Sequence, residues 1–424
     1  MSNHFKPVDW LKKTNIYEVN IRQYTTDGTL KSFQKHLPRL KEMGVEVLWL
    51  MPVTPISIEF RQGTLGSYYA CNSYTEINSE FGNFDDFKNL VNEIHSLGMK
   101  IIIDWVANHT GWGHEWTKQH ADWYMHDANN NFIEENNWKD VIDLNYNVQE
   151  MRMAMIDAMK FWITNFDIDG FRCDMAHLVP LDFWQQARIS CDAIKPLLWL
   201  AECEVMEYHN VFDISYAWEW MHVTEKIARR ENTVTDLYNV LHKYSQYPKD
   251  SYKLFFTSNH DENSWDGTEY EKYGNAAKAF AAFTFTWNGI PLIYSGQELP
   301  NRKRLKFFDK DEIEWKPDAL LGNFYKTLLA LHKTNVVSDG EIFNLPVNNN
   351  YVMAFVKKKD DEVLLVLLNF SSDEKIKIKI EHDWIAGKFE NIFSGLQYEF
   401  TSTEEFELMG FDYLVYQKIS NTHL

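Results

Sequence analysis

"EMRMAMIDAMKFWITNFDIDGFRCDM", residues 150–175, decides the fold. Glu150–Phe166 reads as a helix, and Ile168–Met175 reads as a short apolar strand directly behind it. The strand carries Arg172 and Asp174, two residues apart, although charges inside a strand are costly. Period-two alternation puts Arg172 and Asp174 on one face and Phe171 and Cys173 on the other. If the apolar face meets helices, the charged pair faces an open mouth.

The same unit recurs on both sides. "NIYEVNI" (15–21) is a strand pattern, followed by a helix over 32–44 that Gly44 stops. "VEVLWLMP" (45–52) is a continuous apolar run, as expected of a strand buried on both faces. A helix over 84–98 and the strand "KIIIDWV" (100–106) follow. After residue 175 come a helix over 181–194 and the strand "LLWLAEC" (197–203). "ISYAW" (214–218) is a weaker strand, and "YKLFFTSN" (252–259) and "PLIYSG" (291–296) complete eight. Strands alternating with helices imply a parallel sheet with right-handed crossovers. Eight such units predict a (β/α)₈ TIM barrel. A doubly wound open sheet is the runner-up, but no GxGxxG or GxxxxGK follows the first strand.

Two regions break the pattern. A polar, aromatic stretch over 110–147 reads as an excursion inserted after strand three. After Gly340 the chain alternates with period two, as in "YVMAFVKKKDDEVLLVLLNF" and "KIKIKI", which predicts antiparallel sheet with one wet face. The expected organisation is a barrel from 1–109 and 148–339, an inserted domain from 110–147, and a C-terminal β-sandwich from 340–424.

Composition narrows the function. The 424 residues hold 42 Lys and Arg against 61 Asp and Glu, a formal net charge of −19. That field repels phosphate backbones and anionic membranes, which argues against nucleic-acid and membrane partners. The N-terminus lacks the apolar core of a signal peptide, and no run approaches a membrane span. Cys71, Cys173, Cys191 and Cys203 have neither CxxC nor zinc spacing and read as reduced thiols in a cytoplasmic protein. Aromatics reach 15%, with 16 Trp, mostly for packing, though aromatic faces also suit sugar rings.

Catalytic groups in a barrel project from the C-terminal ends of several strands. Four predicted strands end in polar groups: "DWVANH", "GFRCDM", "WLAECE" and "TSNHDEN". Asp174 and Glu202 then lie on neighbouring strands at similar height, and Asp261 arrives across the mouth. Two carboxylates flanking a bond are what glycoside hydrolysis needs, one ionised and one protonated, about 5–5.5 Å apart in a retaining enzyme. Arg172 beside Asp174 favours the ionised form, and Glu202, ending an apolar run, keeps its proton longer.

These motifs, in this order, resemble the α-amylase family of glycoside hydrolases (glycoside hydrolase family 13) over essentially the whole chain. "DWVANH", "GFRCD", the glutamate of "AECE" and "TSNHD" are similar to the family's four conserved stretches. "GIPLIYSGQE" and "DLN" (143–145) match two further segments. The resemblance implies Asp174 as nucleophile, Glu202 as general acid/base and Asp261 as transition-state stabiliser. It implies substrate binding by Tyr69, His109, Arg172 and His260, with Tyr69 the aromatic on which the glucose stacks. Asp104 is expected to hold the site together, and His177 is as readily a plain loop histidine.

The implied reaction is retaining hydrolysis of α-1,4 bonds in maltooligosaccharides and starch-derived glucans. α-Glucosidases, cyclomaltodextrinases, neopullulanases and glucosyltransferases share the catalytic set and stay open, because they differ in loops. A non-catalytic sugar-binding relative is the reading from another class, opposed by the presence of all three carboxylates. No cofactor is implied beyond calcium, for which Asn108 matches a family ligand. Against calcium stand the short excursion and "DMAHLVP", which places His177 and Leu178 where the family carries Lys-His. The locally basic "NRKRLKFFDKDEIEW" (301–315) reads as a solvated loop by the substrate mouth.

Overall fold

The computed structural model describes residues 5–315, 321–373 and 375–419. Eight parallel strands close into a barrel: β1 (Ile16–Val19), β2 (Val47–Leu50), β3 (Lys100–Trp105), β4 (Gly170–Cys173), β5 (Leu198–Ala201), β6 (Ile214–Tyr216), β7 (Tyr252–Phe255) and β8 (Ile290–Tyr294). Seven fall within the strands read from sequence, the weak sixth included, and β8 begins one residue earlier than its predicted 291–296. Every residue of β1, β2, β4 and β5 is buried, as continuous apolar runs require.

Gly170 fixes the spacing of β4 and β5. A Cβ there would sit 2.2 Å from the Leu198 carbonyl oxygen, so the two strands approach as closely as they do because residue 170 has no side chain.

One predicted helix is two. The chain over 32–44 forms helices Leu30–Gln34 and Leu37–Met43, broken at Lys35 and His36. Pro38 lies in the first turn of the second helix, where its missing N–H costs nothing; inside one continuous helix it would break the ladder. Gly44 ends that helix at φ +108°, donating to Leu40 and Lys41 carbonyls.

Between β3 and β4 the excursion is pinned by a short antiparallel pair, His109–Gly111 with Val141–Asp143. Beyond the barrel, eight strands build the C-terminal sandwich: β9 (Glu341–Asn344), β10 (Val352–Lys359), β11 (Glu362–Asn369), β12 (Ile376–Glu381), β13 (Gly387–Asn391), β14 (Gln397–Phe400), β15 (Thr403–Leu408) and β16 (Tyr413–Lys418). Six form one sheet in the order β9-β10-β11-β16-β13-β14, and β12 pairs with β15.

The wet face expected from alternation is present in "KIKIKI" (375–380) but absent from 351–370. β10 and β11 are buried on both faces. Met353, Phe355, Leu364, Val366 and Leu368 join the barrel's core, while Ala354, Val356, Leu365 and Leu367 face the β12–β15 pair. The wet face belongs to β12 and β15, whose burial alternates. Phe280 stacked on Phe370 at 4.2 Å, and Trp287 edge-on to Phe355 at 5.1 Å, join the sheet to the barrel.

Candidate active site

The barrel register builds the site. Asp104 on β3 lies opposite Arg172 on β4, and Cys173 lies opposite Ala201 on β5. The ladder continues one residue further: Asp174 N–H donates to Trp105 O and Glu202 N–H to Cys173 O, each at 3.0 Å. Asp174 and Glu202 therefore leave neighbouring strands at one level, and Arg172 is the hub below them. Its Nη1 donates to Asp104 Oδ1 at 2.9 Å and Asp174 Oδ1 at 2.7 Å, and its Nε to the Tyr216 hydroxyl at 3.2 Å. Its Nη2 lies 3.0 Å from Glu202 Oε2, at ion-pair distance but without hydrogen-bond alignment. The Trp49 ring, 4.9 Å from the guanidinium carbon, covers one face of this fully buried cation.

A second chain of contacts arrives from the opposite strands. His260 meets Glu18 of β1 through Nδ1; its Nε2 lies 2.7 Å from the Tyr69 hydroxyl and 3.2 Å from Asp261 Oδ2. The Tyr69 hydroxyl donates to Asp104 Oδ2 at 3.1 Å, as does Trp49 Nε1. Tyr69 thus links His260 to the carboxylate that shares Arg172. Its ring lies nearly parallel to His260 at 5.5 Å and to Phe307 at 6.2 Å.

Burial and charge sort the ionisable groups. Burial pushes Asp174 up to about 6; Arg172 opposes this, and Asp104 adds to it. Burial raises Glu202 further, to about 7, again against Arg172. The expectation that Arg172 holds Asp174 low is thus only partly met, because one guanidinium is shared among three carboxylates. Burial lowers His109 to about 4, so it is neutral. For His260 burial is outweighed by Asp261 and Glu18, which raise it well above the ordinary value. Desolvation raises Asp261, but the His260 charge outweighs it and holds its carboxyl below the usual range.

The sequence-derived residues Tyr69, Asp104, Arg172, Asp174, Glu202, His260 and Asp261 thus form one network. His109 stands beside it, edge-on to Trp138 at 5.3 Å. His177 lies on a short turn, its carbonyl accepting from Tyr208. Sequence reading missed Glu18, Trp49 and Tyr216. Glu18 carried the signal that exposed Arg172, a lone charge inside the all-buried "IYEV". Trp49 and Tyr216 looked like ordinary core.

Asn108, the calcium candidate, is paired with Asp143. Its amide donates to Asp143 Oδ1 at 3.2 Å, and Asp143 Oδ2 accepts from Glu135 N–H at 3.0 Å. Calcium takes six to eight oxygens. No group of three or more His, Cys, Asp or Glu able to hold a metal occurs among the described residues.

Three of the loop's five cations are engaged by polar groups of the protein. Lys303 pairs with Asp311, Arg304 with Glu271, and Lys310 donates to the Arg22 and Thr25 carbonyls. The loop brings Phe307 and Phe308 to the mouth.

The model of the α-amylase catalytic domain matches residues 13–192 and 198–362. The chain belongs to the α-amylase family. An α-amylase of Haloarcula japonica, MalA, is 25% identical over 86% of the chain, which spans 56% of that relative's length. Alpha-amylase 3 of Dictyoglomus thermophilum is 24% identical over 86% of each chain. Among solved structures, the noncanonic maltogenic α-amylase AmyB of Thermotoga neapolitana superposes with a TM-score of 0.89, at 30% identity over 97% of this chain and 99% of that one. A Lactobacillus plantarum α-amylase gives 0.87, at 27% identity over 96% and 99%. This α-amylase family member is a glycoside hydrolase.

Proposed function

We propose that the chain is a retaining hydrolase of α-1,4 bonds in maltooligosaccharides and starch-derived glucans, with Asp174 as nucleophile and Glu202 as general acid and base. The observation that carries this reading is the Arg172 guanidinium held between the two carboxylates, 2.7 Å from Asp174 Oδ1 and 3.0 Å from Glu202 Oε2. Glu202 gives its proton to the glycosidic oxygen while Asp174 Oδ2 attacks the anomeric carbon, since Arg172 holds Oδ1. The glycosidic C–O bond breaks, an aspartyl ester forms, and the leaving sugar takes the proton. Water then attacks the ester as Glu202 recovers a proton from it. Asp261, kept ionised by His260, faces the positive charge of the transition state. His109 and His260 hold the hydroxyls of the glucose being cleaved, which packs on Tyr69.

The cytoplasm is the proposed location. The four cysteines are free and buried, and one relative is named an intracellular maltogenic amylase of Bacillus subtilis. No helix among the described residues is long and apolar enough to cross a membrane.

The test is a product analysis on maltooligosaccharides, starch, cyclodextrins, pullulan and α-1,6 oligosaccharides. Cleavage of maltooligosaccharides with the α-anomer formed first, read by NMR, is expected. A first-formed β-anomer refutes retention. Turnover of α-1,6 substrates alone moves the chain towards the oligo-1,6-glucosidases also found among its relatives.

A further inference from the structure

Trp265 stands 51% exposed four residues beyond Asp261. An exposed tryptophan on a fixed backbone forgoes the burial that stabilises so large an apolar ring, which points to a ligand for it. The backbone here is fixed. Glu262–Asp266 form a single π-helical turn, a form frequent at functional sites. Arg304, itself paired with Glu271, donates to the Trp265 and Asp266 carbonyls at 3.3 Å. Beneath the turn, Lys272 is buried between Glu262 and Glu225. The segment is clamped from both sides with its largest apolar ring outward.

The ring also continues an aromatic surface that starts inside the site. Tyr69 lies parallel to Phe307 at 6.2 Å, and Phe307 and Phe308 lie 5.4 and 5.5 Å from Trp265. The path runs from the glucose-packing ring proposed above to an exposed face at the mouth. We infer that Trp265 is a stacking platform for a glucose ring further along the same glucan chain, so that it sets preference for longer oligosaccharides. This rests on the α-glucan reading. Arg304 beside the platform is already paired with Glu271 and Lys303 with Asp311, so the ring rather than a free charge there would meet the sugar.

Trp265 also acts on Asp261: burial raises that carboxyl, His260 and Arg172 lower it, and the Trp265 side chain adds a smaller lowering. A substitution therefore has two routes to an effect, and chain length separates them. The experiment compares kcat/KM for maltoheptaose and maltotriose in wild type, Trp265→Ala and Trp265→Phe. The heptaose-to-triose ratio is expected to fall about tenfold in Trp265→Ala and to persist in Trp265→Phe, which keeps a ring but loses the N–H. Equal losses on both substrates in Trp265→Ala would overturn the platform and leave a role through Asp261. Calorimetry of maltoheptaose with Asp174→Asn, with and without Trp265→Ala, reads the platform without turnover. Binding about tenfold weaker in the double variant supports it, and equal binding refutes it. A wild type that binds maltoheptaose but cleaves neither oligosaccharide would instead count against the proposed hydrolysis.

Discussion

The Met175 backbone N–H donates to Glu202 Oε2 at 2.8 Å. The residue after Asp174 thus holds the carboxylate of the next strand, and Met175 adopts φ +41° to do so. Left-handed backbone costs a non-glycine residue about 1–2 kcal/mol. The two carboxylates are therefore tied by the main chain as well as by Arg172.

Their order of ionisation sets the pH dependence. The proposed mechanism requires Asp174 ionised and Glu202 protonated. kcat/KM should rise as pH climbs through about 6, where Asp174 loses its proton, and fall through about 7, where Glu202 does. Glu202→Gln should lose about 10³-fold or more in kcat on glucans and flatten the alkaline limb. An alkaline limb that survives in Glu202→Gln assigns that ionisation to another group.

Arg172→Lys should be severe despite its retained charge. An ammonium cannot reach Asp104, Asp174 and Tyr216 from one plane while stacking on Trp49. Leaving buried carboxylates short of partners costs about 3–5 kcal/mol. Thermal denaturation together with kcat should show both lowered stability and lost activity; wild-type values in both remove Arg172 from the hub.

Tyr69→Phe keeps the ring and removes the hydroxyl between His260 and Asp104. An unsatisfied buried partner costs about 1–3 kcal/mol, so kcat/KM should fall about tenfold or more with little change in fold. Circular dichroism and steady-state kinetics check this, and kinetics within about twofold of wild type would contradict the relay.

Gly170→Ala places a Cβ against the Leu198 carbonyl. Neither strand has room to yield, and the expected loss is about 3 kcal/mol or more, read by urea unfolding. A variant as stable as wild type means that β4 and β5 part more easily than their packing implies.

A chelator should leave activity and Tm in place, because Asn108 and Asp143 hydrogen-bond within the protein rather than presenting a cage. A Tm drop of about 4 °C or more with EDTA, reversed by calcium, would show a cation site that these contacts do not reveal.

Local pattern alone carried the eight barrel strands and the groups at their C-terminal ends. Arg172 and Asp174 were legible because a charge in an apolar run is conspicuous, and because alternation assigns it a face. Motif order added His109, His260 and Tyr69. What local pattern missed depends on what lies opposite. β10 and β11 alternate, yet both faces are covered, one by the barrel and one by β12–β15. The break at Lys35–His36 came from Pro38, whose place in a helix is fixed by where that helix begins. Trp49 and Tyr216 are core by composition and became partners of Arg172 only when the barrel closed.

The sequence by itself determined the barrel, the chain's acidity and the placing of Asp174, Glu202 and Asp261 at strand ends, because each is written in periodicity, charge or motif. The tertiary structure decided how they share protons. Three carboxylates converge on one arginine across β3, β4 and β5, and burial at that convergence raises both Asp174 and Glu202 above their ordinary values. A pKa depends on distance and solvent, which only the closed barrel sets.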